Sequence, residues 1–453
     1  MTQYSDAPIF QDSKTPMSYK SFYLHTLGCK VNWCDSDSIA VEAGKTGWKR
    51  VEDICDAQIS VVNTCTVTKH AAASARKIIR RIRRENPSAY IIVTGCYAKT
   101  DGEIISKMEE VDEIVLPGDE KNLIEKMGSA AERLAKKHRE TKPPLKEGHY
   151  AGRPSSRTRT FIKVQDGCDQ FCAYCIVPFA RGRAKSFPAN KILEKIKRAE
   201  EKNVREIVLT GIHLAAYNSD DTDHPLRSYN ISGLVQHIAE NSEIPRIRIS
   251  SLDANAIDEK FCELFKKYPA VMPHLHIPLQ SGSNKILELM NRPVKVSGFL
   301  RAANLFLSSH PLAAVSTDVM VGLPGETEED FYKTVSLVEK IPFLKVHIFQ
   351  FSPRPGTGAA KMKELFVQPS EVKRREKILM EKAETSARLC RKKFETEKLN
   401  VLIENKKNRL WEGLSENYLR VKTTAKTGCN GAAVEQNSIV TLDMSSPENR
   451  WEK

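Results

Sequence analysis

The chain has 453 residues, more than one hydrophobic core ordinarily supports, so two to four domains are expected. Hydrophobic residues make up 40% and charged residues 28%. That balance excludes a disordered chain, and no apolar run is long enough to span a bilayer. Seventy Lys and Arg against 57 Asp and Glu give a net charge of +13, which favours a polyanionic partner but is equally met by plain solubility.

The opening stretch MTQYSDAPIFQDSKTPMSYK lacks the apolar core of a secretory signal, so a cytoplasmic protein is expected. In a reducing compartment the eleven cysteines read as thiols, metal ligands or catalysts ahead of disulfides. From Phe22 to about Lys137, β-like runs alternate with helical patterns. SFYLHTLGC, AQISVVNTC and SAYIIVTGC each read as a strand ending in a turn residue and a cysteine. Between the second and third, Val67, Ala71, Ala75, Ile78 and Ile82 recur at helical spacing. The opposite face carries Arg76, Lys77, Arg80, Arg81, Arg83 and Arg84, which read either as a phosphate-tracking surface or as a solvated face. EIVLPG and a further helix complete a βαβ series, so an open parallel sheet is expected over residues 18–138.

His138 to Arg159 is rich in Pro, Gly and basic residues and reads as a linker. Six strand-like runs follow in βα order: TFIKVQ, EIVLTG, RIRISSL, HLHIPLQ, AVSTDVMVG and KVHIFQFS. They predict an incomplete parallel (βα)6 barrel over 154–385. A helix of mixed charge spans Glu371 to Lys398, and LNVLIE, LWEGLSENYLRVKTT and SIVTLD then suit a small β-barrel over 392–453. The fold class is α/β with that β appendage.

GCDQFCAYC sets Cys168, Cys172 and Cys175 in a C-x3-C-x2-C pattern directly after a strand. Spacers this short confine three thiolates to one loop around a [4Fe–4S] cube, leaving one iron open to a small molecule. Zinc or free thiols are the alternatives, but a zinc site wants a fourth ligand nearby. Cys29, Cys65 and Cys96 are scattered, yet each follows a predicted strand, where ligands gather in parallel sheets. On spacing alone, a shared metal site and ordinary packing of buried thiols both stand. Cys34, Cys55, Cys262, Cys390 and Cys429 are assigned no chemistry.

GCDQFCAYC followed by IVPFARGR resembles the signature of the radical SAM methylthiotransferases. TLGCKVN, VVNTCTVT and IIVTGCYA resemble the three cysteine motifs of that family's N-terminal domain, and VLTGIH, RISSL, HIPLQSGS, DVMVGLPGET and FSPRPGT resemble its barrel strands in order. The tail resembles the RNA-binding TRAM domain. Within the family, GCKVN, FIKVQDGC and PFARG look most like the tRNA enzymes acting on N6-threonylcarbamoyladenosine beside the anticodon. Asp169 stands where the family commonly has Asn, a position that is not a ligand.

The resemblance implies two [4Fe–4S] clusters, one on Cys168, Cys172 and Cys175 and an auxiliary one on Cys29, Cys65 and Cys96. It implies S-adenosyl-L-methionine at the open iron of the first, cleaved to a 5′-deoxyadenosyl radical that takes a hydrogen from adenine C2. A methylthio group held at the second cluster then goes to the substrate. Tyr174, Gly211, Ser251, Gln280 and Gly322 are expected around the cofactor, though structural turn contacts would account for them equally. Gly322, Pro324 and Gly325 form a tight turn without the context of a phosphate loop. No catalytic acid or base is singled out.

Expected partners are tRNA and a flavodoxin- or ferredoxin-like electron donor, with neither membrane nor DNA. RNA contacts are expected from Arg76, Arg80 and Arg84, from Arg153, Arg157, Arg159, Arg181 and Arg183 around the cysteine loop, and from Arg420 and Lys422. With Tyr418, the last two are expected to share one exposed face, as in single-stranded RNA readers. Methylthiolation of isopentenyladenosine in tRNA, or of an aspartate in a ribosomal protein, is the alternative within the resemblance. A non-catalytic RNA-binding protein with structural zinc is the alternative outside it.

Overall fold

A computed structural model describes residues 20–137, 158–220 and 228–451. The chain groups into two compact units. One is Met1–Thr26, Ser36–Asn63 and Ala75–Pro154, and the other is Leu27–Asp35, Thr64–Ser74 and Ser155–Lys453.

The first unit is built on a sheet of β1 (Ser21–Thr26), β2 (Lys49–Val51), β3 (Ile59–Thr64), β4 (Tyr90–Gly95) and β5 (Glu113–Ile114), in the order β2-β1-β3-β4-β5. The helices following these strands are α1 (Lys30–Lys45), α2 (Lys69–Glu85), α3 (Cys96–Thr100), α4 (Gly102–Ser106) and α5 (Glu120–Lys137). All six residues of β3 are buried. A central parallel strand is covered on both faces, so Ser60, Asn63 and Thr64 are buried along with Ile59, Val61 and Val62. Phe22, Leu24, Val61, Ile92, Leu123 and Met127 form the core.

One detail of the expected helical stripe is corrected. Val67 lies ahead of α2 and is 48% exposed, and the buried stripe is Ala72, Ala75, Ile78, Ile79 and Ile82. The helix begins only at Lys69, so periodicity counted from Val67 starts two residues too early.

In the second unit six parallel strands run in chain order: β6 (Arg159–Lys163), then past the short β7 (Gln165–Asp166) and β8 (Lys185–Ser186) to β9 (Glu206–Thr210). After a hairpin of β10 (Asn218–Asp220) and β11 (Ser228–Asn230) come β12 (Arg246–Ile249), β13 (His274–His276), β14 (Ala314–Val321) and β15 (Lys345–Gln350). Parallel bridges Ile247–Val271 and Ser251–His276 join the two halves. This is the incomplete (βα)6 barrel.

Its helices are α6 (Val177–Arg181), α7 (Ala189–Glu201), α8 (Ile231–Asn241), α9 (Glu259–Lys267), α10 (Asn284–Leu289), α11 (Val296–Ser309), α12 (Glu328–Lys340), α13 (Gly358–Lys361) and α14 (Pro369–Lys392). Apolar strand residues such as Ile207, Leu209, Ile247 and Val319 pack with Phe299, Phe306, Phe331 and Phe343. Thr327 and Asp330 start α12 with a reciprocal capping box.

The C-terminal sheet is antiparallel, in the order β19-β16-β17-β18-β20, from β16 (Lys398–Lys407), β17 (Leu410–Ser415), β18 (Arg420–Thr423), β19 (Ile439–Asp443) and β20 (Asn449–Trp451). It curls as a half-barrel over Leu399, Val401, Val421 and Val440, with Phe394 from the end of α14 region beneath. Glu206, fully buried, forms ion pairs with Arg248 Nη2 and Arg246 Nε at 2.9 Å each. The same arginines donate to the Leu414, Ser415 and Glu416 carbonyls, which fixes this sheet to the barrel strands. The pairing outweighs burial and holds the Glu206 carboxyl down at about 2. No helix among the described residues is long and apolar enough to cross a membrane.

Candidate metal and cofactor site

The loop holding Cys168, Cys172 and Cys175 follows β7 and is shaped by a glycine. Gly167 has φ +69, and a Cβ there would lie 1.9 Å from the Arg183 carbonyl oxygen, so no other residue fits. The loop is then fixed from outside: Ala173 N donates to Met290 O at 2.9 Å, and Ala359 N donates to Ala173 O at 2.7 Å. Within it, Gln170 N donates to Cys168 Sγ at 3.4 Å, and Cys175 N to Cys172 O at 2.9 Å.

Four side chains absent from the expected site surround these sulfurs. Arg292 Nη1 lies 3.8 Å from Cys172 Sγ, while its Nη2 is 2.8 Å from Asp253 Oδ1. His213 Nε2 lies 3.0 Å from Asp253 Oδ2 and from Gln170 Nε2. Burial opposes charge on His213, but Asp253 and the Cys168 sulfur prevail and raise the imidazole to about 9. Burial likewise opposes charge on Asp253, and His213 with Arg292 prevails, bringing it down to about 2. Burial pushes the Cys175 thiol up to about 12, against the pull of the Val177 backbone N–H.

Arg292 and His213 place positive charge beside the Cys172 and Cys168 sulfurs, which would offset the negative charge of thiolates holding a cluster. Three free thiols in one half-buried loop, beside Arg292 and His213, fit a cluster-binding set. Among the described residues no three His, Cys, Asp or Glu converge on a point for a single ion. Three thiolates that each take a different iron of a cube do not need to.

Cys29 and Cys65 are brought together by two neighbours. Gly28, at φ +101, lies so close to Cys65 that a Cβ on it would stand 2.7 Å from Cys65 Cβ and 3.0 Å from its Sγ. Asn32, fully buried, donates to Leu27 O at 2.8 Å and to Thr64 O at 3.0 Å, stitching one cysteine loop to the other. Burial raises the Cys65 thiol, and backbone N–H groups of Val67 and Thr66 work against that rise. Cys96 follows β4 after Gly95 and opens α3, buried. The three cysteines thus stand at the carboxyl ends of three strands adjacent in sheet order.

The expected cofactor positions differ in character. Tyr174 is half-buried beside Cys172, and burial, the largest influence, raises its phenol. Ser251 bridges to His276 at the end of β12. Gln280, at φ +71, is fixed through its backbone to Asp318 O and Met320 N, yet its buried Oε1 has no hydrogen-bond partner. An orphaned buried acceptor at a strand end suits a donor on a bound molecule. Gly211 and Gly322 instead have packing reasons. A Cβ at Gly211 would lie 2.8 Å from Leu214, and one at Gly322 2.5 Å from Val372.

On the inner strand faces, His276 pairs with Asp318 at 3.1 Å and lies 5.5 Å from the His347 ring. No spacing rule links residues on three separate strands.

The expected RNA residues divide sharply. Arg157, with Arg153, lies outside the described residues. Arg181 is buried, donating to Asp166 at 3.0 Å and Asp35 at 2.9 Å and also to Asn32. It braces the Cys29 loop against the cysteine loop after β7. Arg159 is largely buried against Glu404 at 2.8 Å. Arg76 donates to Tyr97 Oη at 2.6 Å, whereas Arg80 and Arg84 stay exposed with weak carboxylate neighbours. Arg420 pairs with Glu404 at 3.0 Å and Lys422 with Glu412 at 3.1 Å.

Tyr418 does not share their exposed face. It sits at φ +73 in the turn between β17 and β18, stacked on His274 at 4.5 Å and 4.8 Å from the Arg248 guanidinium. The run LWEGLSENYLRVKTT is two strands around that turn, so alternation counted through it fails.

Residues 162–338 match the model of the radical SAM superfamily, and residues 21–117 that of an uncharacterized protein family, UPF0004. The threonylcarbamoyladenosine tRNA methylthiotransferase MtaB of Aquifex aeolicus (strain VF5) is 34% identical over 88% of this chain and 95% of its own length. The chain belongs to the radical SAM methylthiotransferase family. The family also accounts for two further similarities. The MtaB of Bacillus subtilis (strain 168) is 33% identical over 88% of this chain and 89% of its own. The tRNA-2-methylthio-N(6)-dimethylallyladenosine synthase of Zymomonas mobilis subsp. mobilis (strain ATCC 31821 / ZM4 / CP4) is 35% identical over 76% of this chain and 77% of its own. In fold, the chain is similar to the radical S-adenosylmethionine methyltransferase TsrM from Kitasatospora setae, with a TM-score of 0.55, 14% identity, and coverage of 75% of this chain and 77% of that one.

Proposed function

We propose that the chain methylthiolates C2 of N6-threonylcarbamoyladenosine next to the anticodon of tRNA, using S-adenosyl-L-methionine and two [4Fe–4S] clusters. The observation that carries this reading is the pressing of the Cys29 loop onto Cys65, in a chain that also has a three-cysteine loop after β7. Relatives with the threonylcarbamoyladenosine name, similar over most of this chain, support the choice of nucleoside over the isopentenyl one. Cys168, Cys172 and Cys175 would hold one cluster, and Cys29, Cys65 and Cys96 the other. Together with S-adenosyl-L-methionine, the clusters supply a carbon-centred radical and a methylthio group.

The chain's own residues orient and insulate. Gly167 lets the cysteine loop turn against Arg183, and the Met290 and Ala359 backbone contacts keep it from spreading. Arg292 and His213 set positive charge beside the Cys172 and Cys168 sulfurs, while Asp253 holds both cations in place. Gln280 Oε1, buried without a partner, would accept from a donor of the bound cofactor. Tyr174, packed next to Cys172, shields that sulfur from water. We assign residues 18–138 to the auxiliary cluster, 154–385 to the barrel and 392–453 to RNA contact. The basic surplus of +13 suits tRNA, and an electron donor of flavodoxin or ferredoxin type would supply reducing equivalents in the cytoplasm.

The test is turnover by purified, reconstituted protein with reductant, S-adenosyl-L-methionine and tRNA carrying N6-threonylcarbamoyladenosine. A nucleoside heavier by the replacement of hydrogen with a methylthio group is expected. Its appearance only on isopentenyladenosine tRNA would replace the substrate, and colourless zinc protein without turnover would remove the enzyme reading.

A further inference from the structure

The cysteine loop after β7 and the helix behind it carry an exposed aromatic pair. Phe171 is 44% exposed and Phe179, on α6, is 50% exposed. Their rings meet edge to face with centroids 5.8 Å apart. Neither ring is buried, although aromatic side chains of this size ordinarily gain most from burial.

Phe171 is also held in place. Its φ is +45, an uncommon backbone conformation for a bulky residue, and Asn291 Nδ2 donates to both the Gln170 and Phe171 carbonyls at 3.3 Å. The fold therefore fixes an apolar ring outward one residue from Cys172, while Phe179 stands four residues beyond Cys175. Arg183, whose side chain is highly exposed and pairs with Asp169 at 3.3 Å, brings positive charge to the same loop.

We propose that Phe171 and Phe179 form a stacking platform for a nucleobase flanking the modified adenosine in the anticodon loop, with Arg183 on the adjoining phosphate. The proposal rests on the function given above. An adenine whose C2 is to react must leave the base stack, which deprives its neighbour of a stacking partner. An exposed phenyl pair at the cysteine loop replaces that partner without reading sequence, since every base offers a π-face. Charge complementarity favours this occupant. A second copy of the chain is disfavoured by area, because two half-exposed rings fall far below the roughly 1,000 Å² that a stable protein interface needs.

The experiment measures binding of an anticodon stem-loop carrying N6-threonylcarbamoyladenosine to the full-length holoenzyme, without reductant. Phe179→Ala and Phe171→Ala are each expected to weaken binding about 5- to 150-fold, the range of one lost base–aromatic stack. Phe179→Trp should retain it. Iron and sulfide are measured on each variant, so that loss of the loop is not mistaken for loss of the platform. Independently, stem-loops with single 5-iodouridines at loop positions beside the target are irradiated on the wild-type holoenzyme, and a crosslink to Phe171 or Phe179 is expected.

Affinity within twofold of wild type at full iron content, or crosslinks only elsewhere, would overturn the platform. So would a change of oligomeric state in Phe179→Ala without a change in RNA affinity. Wild-type turnover of the same RNA separates the two claims. Turnover with unaffected variants removes the platform alone, whereas neither binding nor turnover by the wild type removes both.

Discussion

Replacing Gly28 by alanine places a methyl group where the structure has no room for one. The new Cβ would lie 2.7 Å from Cys65 Cβ, about 0.7 Å inside the 3.4 Å at which ordinary contact begins, and 3.0 Å from the Cys65 sulfur. The backbone adds to this, because at φ +101 an L-residue carries about 1–2 kcal/mol or more of steric strain. Relief requires the Cys29 loop to move away from Cys65, breaking the Asn32 bonds to Leu27 and Thr64. A few tenths of an ångström at a three-thiolate site is enough to hinder assembly.

Anaerobically reconstituted Gly28→Ala should therefore hold roughly half the iron of the wild type, about four atoms in place of about eight, and lose methylthiolation. Gly47→Ala is the matched control. It carries comparable strain at φ +84 but has nothing within 4 Å of the new methyl, so its iron content should be that of the wild type. Iron and sulfide assays with electron paramagnetic resonance read the outcome. Full iron and full turnover in Gly28→Ala would refute the reasoning that this close approach builds the second site.

Three other consequences can be measured directly. Exchanging Cys29, Cys65 and Cys96 together for alanine should abolish methylthiolation while S-adenosyl-L-methionine cleavage persists, whereas Cys172→Ala should abolish both; loss of cleavage in the first variant despite an intact cluster would contradict the division of labour. Glu206→Gln strands Arg246 and Arg248, both buried, and should destabilise by about 3–5 kcal/mol, read as a lower urea midpoint; a shift under about 1 kcal/mol would show that the arginines find other acceptors. His274, fully buried and beside Arg248, is held neutral well below the ordinary imidazole range, first by burial. Only the unfolded chain then takes up its proton as pH falls below about 6.5, so this stability is complete above that pH and is lost below it by about 1.4 kcal/mol per unit. His274→Gln should flatten the fall in urea midpoint between pH 6.5 and 5.5, and an unchanged slope would assign the acid sensitivity elsewhere.

The strand–helix order of both sheets was legible because apolar runs of buried parallel strands are bounded by clear turn residues. The loop of Cys168, Cys172 and Cys175 was legible for a similar reason, since three cysteines sit within eight residues. Spacing alone left Cys29, Cys65 and Cys96 open, because their approach depends on Gly28 and Asn32 reaching across strands. Gln170, His213, Asp253 and Arg292 converge from four loops, and no linear pattern carries that. Charge misled where ion pairs intervene: Arg181 reads as a surface cation, but Asp35 and Asp166 bury it. Tyr418 misled because a left-handed turn breaks the alternation that would have kept it on the face of Arg420 and Lys422.

The central claim is tested most directly by mass spectrometry of tRNA nucleosides from cells lacking this gene. The account predicts loss of 2-methylthio-N6-threonylcarbamoyladenosine with accumulation of its unmethylthiolated precursor, both reversed by the wild-type gene and not by a Cys172→Ala copy. An unchanged level of the methylthiolated nucleoside would contradict it.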